Sequence, residues 1–136
     1  MPHPTLTRAA LQTGVQELIA RDRNLARIVE EFGPPPLWAR PRGFPTLVRI
    51  ILEQQVSLAS AAALFAKLER HFAGSVTPER VTALGEPALL SIGFTRQKAR
   101  YVTGLAARIA DGTVSLERIA RLTDADAEHA LVQIPG

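Results

Sequence analysis

Two adjacent glutamines, Gln54 and Gln55, stand between apolar helix-like runs in the stretch ILEQQVSLASAA. Both amides cannot be buried without partners, because an unsatisfied amide costs roughly 1–3 kcal/mol, so they should protrude or bridge. A protruding amide pair on a rigid turn can enter a duplex, replace a displaced base and bond to either strand. The same residues also suit an ordinary polar helix break with its amides in water. A second stretch, SIGFTRQKARYV, carries Arg96, Lys98 and Arg100 at the start of a helix. A helix N-terminus beside cations is a natural phosphate site; a solvated basic face with Phe94 as a hydrophobic staple fits the pattern as well. A third, ALVQIPG, closes on Pro135 and Gly136. Glycine after proline suits the second central position of a type II turn, where φ is positive. Such a turn points backbone N–H groups outward, and with a following helix they form an anion site that needs no charged side chain. A plain terminal turn is the alternative.

Fewer residues elsewhere could do chemistry. Trp38, the single tryptophan, lies beside three prolines, where it could stack on a base or anchor packing. His71 falls at a helix end, where the dipole favours a cation and a structural role. Glu53 and Asp111 have no neighbour at a spacing that suggests acid–base pairing. There is no cysteine, which removes disulfides and thiolate metal sites, and His3, His71 and His129 are too widely separated to suggest zinc.

Helices are the elements that must position these stretches. Leu6, Ala10, Leu11, Val15, Leu18 and Ile19 recur at spacings of three and four, an amphipathic stripe. NLARIVEEF makes a short helix ending at Gly33, and the proline-rich segment 33–45 forms an extended connector. From Phe44 the pattern is helical again, with Leu47, Ile50 and Ile51 on one face. Leu58, Ala61, Phe65, Leu68 and Phe72 form the next stripe, with Ser57 as its N-cap. Thr77 and Pro78 open a helix that ends near Gly85, with Arg80 where a capping box wants Glu or Gln. EPALLSIG follows and stops at Gly93. Thr95 caps a long helix with Ala99, Val102, Leu105, Ala106 and Ile109 inward. Ser115 and Thr123 cap two short ones, the last with Asp124, Asp126 and Glu128 in its first turns. No segment alternates with period two, so the expected class is all-α, a single helical domain over 1–136.

Composition bounds the rest. Hydrophobic residues are 46% and charged residues 21% of the 136, an ordinary globular balance. The net charge is +3, compatible with a polyanion but too small to establish one. No apolar run approaches the roughly 20 residues of a membrane span, and the N-terminus lacks a signal layout, so a cytoplasmic or nucleoid setting is expected.

In this order, FPTLVRIILEQQVSLASAAALFAKL, LLSIGFTRQKARYVTGLA and LVQIPG resemble the alkylpurine (3-methyladenine) DNA glycosylases of the helix-hairpin-helix superfamily. The resemblance runs in register over roughly residues 24–136. It implies a compact multi-helix fold and a monomeric base-excision-repair enzyme. Such an enzyme flips an alkylated purine out of double-stranded DNA and hydrolyses its N-glycosidic bond. Matched residue by residue, Gln55 takes the family's wedge position, with Gln54 and Ser57 supporting it or facing the minor groove. Arg96 and Lys98 match a helix entry near DNA. Pro135 and Gly136 match the start of the phosphate-binding hairpin, which in some members holds a monovalent cation; no other cofactor is implied. Trp38 becomes a candidate for contact with the substrate base.

In that family the hairpin continues into a second helix, and a catalytic aspartate follows some twenty residues later. The resemblance therefore implies a fold truncated at the hairpin, with the catalytic Asp beyond the C-terminus and the chain itself inactive. Leu131, Val132 and Ile134 should then be left exposed or covered by another chain. A non-enzymatic helical DNA-binding module is the alternative from a different class.

Overall fold

The computed structural model describes residues 6–136; His3 lies outside them. Every regular element among the described residues is a helix: α1 (Arg8–Arg21), α2 (Arg23–Phe32), α3 (Phe44–Glu53), α4 (Leu58–His71), α5 (Pro78–Ile92), α6 (Arg96–Ala110), α7 (Leu116–Ile119) and α8 (Asp124–Val132). The all-α class is as expected. By their contacts the described residues divide into two compact units, 6–40 and 41–136, and the boundary falls within the proline-rich connector.

In the first unit α1 and α2 pack on each other. Thr7 caps α1, and the Asp22 carboxylate caps α2 by accepting from the amides of Asn24 and Leu25. Val15 is buried, but Leu6 and Leu18, expected inward, are more than half exposed. Leu6 precedes the cap and so stands outside the helix it was assigned to.

The second unit holds the core, built from α3, α4, α5 and α6 around Leu52, Phe65, Leu68, Leu89, Val48, Val81 and Val102. The inward face of α3 is Phe44, Val48, Ile51 and Leu52, with Leu47 packed against its edge; of the expected Leu47–Ile50–Ile51 stripe only Ile50 is misplaced. At about 100° per residue Ile50 sits roughly 200° around from Val48, on the far side of the helix, and it is 43% exposed. In α4, Ala61, Phe65 and Leu68 point inward as expected; Leu58, the first helical residue beside an exposed turn, is 66% exposed. The Arg49 guanidinium of α3 lies 3.8 Å over the Phe65 ring of α4 and 3.8 Å from the Glu69 carboxylate, tying the two helices together.

The expected caps form. Ser57, Thr77, Thr95, Ser115 and Thr123 each accept from the amide three residues on. Gly85, at φ 77°, breaks α5 into the two expected segments, and Gly93 closes the second. Arg80, out of place for a capping box, instead donates from Nη1 to the carbonyls of Phe72 and Ser75, each at 3.1 Å, and pins the α4–α5 loop. Of the expected exposed trio, Leu131 and Val132 are exposed, but Ile134 turns back and packs against the core.

Candidate functional site

Three of the candidate stretches converge in the second unit. The link between α3 and α4 is a four-residue turn, Gln54–Ser57, with all four side chains exposed. The chain leaves helical geometry at Gln54 (φ −63°, ψ 127°), and Gln55 takes φ 60°. A left-handed backbone is uncommon for a residue with a long side chain, and such strain persists only when the surroundings enforce it.

Both ends of the turn are anchored. Downstream, Ser57 Oγ accepts from the Ser60 amide at 3.1 Å. Upstream, Lys98 Nζ donates to the carbonyl of Leu52 at 2.7 Å, reaching across from α6. Gln54 Nε2 donates to the Gly136 carbonyl at 3.4 Å, joining this turn to the C-terminal turn 82 residues away. Of the two expected behaviours, Gln54 bridges while Gln55 protrudes.

The start of α6 is built as the sequence suggests. Thr95 Oγ1 accepts from the Lys98 amide, and Phe94 is buried beneath it. Arg96 and Arg100 are exposed, but Lys98 is only half-exposed and its ammonium serves the α3 carbonyl.

At the third stretch, Ile134 N–H donates to Leu131 O, and Gly136 takes φ +114°, the left-handed side that the Pro-Gly pair requires. Gly136 also lies close against the Tyr101 side chain, where a Cβ would come within 2.7 Å of the ring carbon Cγ. The Tyr101 hydroxyl accepts from Gln97 Nε2 at 2.9 Å, so α6 offers this turn a fixed aromatic floor. The sequence reading missed Tyr101. The i, i+4 spacing marks the Gln97–Tyr101 pair, but nothing local links Tyr101 to a glycine 35 residues on.

Trp38 belongs to the first unit, on the extended connector, and at 86% exposed it is no packing anchor. Asp111 caps α6, and its carboxylate accepts from the Thr113 amide at 2.8 Å. Hydrogen bonding to Thr113, aided by Arg108, holds its carboxyl below the usual range. His71 stacks edge-on against Phe72 at a helix end, a structural position. Among the described residues no three His, Asp or Glu side chains gather into a metal-binding group. No helix among them is long and apolar enough to cross a membrane.

These turns can meet a polyanion with one protruding amide, the backbone N–H of Gly136 and flanking arginines, and they place no carboxylate pair for acid–base work.

Residues 48–133 match the HhH-GPD superfamily of base excision DNA repair proteins. Two relatives come from Bacillus subtilis. YfjP, provisionally named a DNA-3-methyladenine glycosylase, is 27% identical over 83% of this chain and 42% of its own length. A DNA-3-methyladenine glycosylase is 30% identical over 71% of this chain and 35% of its own. A solved DNA-3-methyladenine glycosidase from Bacillus halodurans superposes with a TM-score of 0.72 and 25% identity, covering 90% of this chain and 57% of that one. The chain thus spans less than half the length of these two curated relatives and little more than half of the solved structure.

Proposed function

Because the chain belongs to the HhH-GPD superfamily of base excision DNA repair proteins, we propose that these 136 residues form the DNA-engaging portion of an alkylpurine glycosylase acting on double-stranded DNA. Gln55 is the wedge that fills the gap left by a flipped base. Gln54 and Ser57 brace it along the minor groove. Arg96 and the N–H of Gly136 take phosphates, and Trp38 stacks on the substrate base. The reading calls for a monomer in the cytoplasm, working on alkylated purines such as 3-methyladenine. The single observation that carries it is Gln55 itself, exposed at φ 60° on a turn anchored at both ends.

Hydrolysis needs a carboxylate to stabilise the oxocarbenium character that develops on the sugar. An alkylated purine is already a cationic, good leaving group, so strong protonation of the base is unnecessary. Asp111, Asp124 and Asp126 do not supply that carboxylate. Asp111 caps α6, the other two lie in the first turn of α8, and all three precede the hairpin. In a complete hairpin the backbone oxygens could hold a monovalent cation, and no step runs through one. These 136 residues by themselves therefore bind and distort DNA without releasing the base.

The test is to incubate the protein with alkylated DNA and to measure its binding to duplexes with and without an abasic-site analogue. We expect no release of 3-methyladenine above background and a preference for the lesion that Gln55→Ala abolishes. Release at a rate matching the full-length relatives would overturn the catalytic part. Equal binding to both duplexes would overturn the wedge.

A further inference from the structure

Lys98 enters the sequence as a candidate phosphate ligand, yet the fold commits its ammonium to the protein. The acceptor, the carbonyl of the fully buried Leu52, is among the last four of α3, which have no partner within the helix. α3 has no basic residue in its own last turn. A cation from α6 therefore meets the negative end of its dipole. The other end of Lys98 is equally fixed. Its amide donates to Thr95 Oγ1 at 3.2 Å, and the next residue, Ala99, is buried in the core. A cleft of about 350 Å³ lies between the turn and this helix start, bordered by Val56, Ser60, Leu64, Gly93 and Lys98. Lys98 spans the two sides, and Gln55 adopts its left-handed backbone three residues after the carbonyl that Lys98 holds.

We propose that Lys98 is a positioning residue for the Gln54–Ser57 turn, a strut that presets the conformation in which Gln55 enters the duplex. The proposal rests on the wedge reading of Gln55. A strut and a phosphate ligand differ in what they change. Losing a phosphate contact weakens all duplexes alike and lowers the salt slope by about 0.9. Losing the strut removes discrimination and leaves non-specific binding in place.

Lys98→Met keeps the aliphatic stem and deletes the donors, while Lys98→Arg keeps a cation and a donor. Binding is measured against salt on intact duplex and on duplex with an abasic-site analogue, with 2-aminopurine opposite the lesion to report insertion. For Lys98→Met the lesion preference should fall about tenfold, the scale of one charge-assisted hydrogen bond. The fluorescence response should be lost and the salt slope on intact duplex unchanged, with Lys98→Arg recovering part of the preference. Equal weakening on both duplexes with a reduced slope would overturn the proposal, as would an intact lesion preference. Should Lys98→Met fail to fold, Lys98→Leu, which also lacks a donor, is read in the same way. Gln55→Ala is run alongside. If it keeps the preference, the wedge reading falls; if it loses the preference while Lys98→Met retains it, only the strut falls.

Discussion

Gln55 carries the tension between stability and use at the scale of one residue. Its φ of 60° is a conformation glycine adopts freely and glutamine does not. Gln55→Gly should therefore leave the protein as stable or stabilise it by up to about 1 kcal/mol in chemical denaturation, while the preference for an abasic-site duplex disappears. Loss of stability together with loss of preference would mean that the side chain matters through packing. Gly136 shows the reverse demand. Its positive φ was legible from the Pro-Gly pair, but its contact with Tyr101 was not, because no local pattern connects residues so far apart.

Capping is the element-scale feature that the sequence announces most clearly, since a Ser or Thr before a helix finds its partner three residues away whatever else the chain does. Faces are less legible. Ile50 and Leu58 have the same apolar chemistry as Ile51 and Leu68, and only the packing partners decide which are covered. The part of the α4 stripe that was read correctly, Ala61, Phe65 and Leu68, has a measurable weight. Leu68 is fully buried between neighbouring helices, so Leu68→Ala should cost about 2–5 kcal/mol, read as a lowered midpoint in thermal or denaturant unfolding. A cost below about 1 kcal/mol would show that the site collapses around the gap.

Over the whole molecule, burial is uneven in a way that predicts its dynamics. Within residues 41–136 the fully covered side chains lie on α3 to α6 and the segments joining them, and neither α7 nor α8 has a buried residue. Hydrogen exchange should find α7 and α8 the fastest helical segments of this unit and α6 among the slowest; equal protection in α8 and α6 would contradict this. By itself the sequence determined the helical class, the caps, the break at Gly85, the positive φ at Gly136 and, through three motifs in order, the family. Each depends on residues within a few positions of one another or on a pattern of types along the chain. The tertiary structure alone decided that Lys98 turns inward to Leu52, that Gln54 reaches Gly136 and that Tyr101 lies beneath it. Those contacts join residues 46, 82 and 35 positions apart, and such pairs come together only when the helices carrying them have packed.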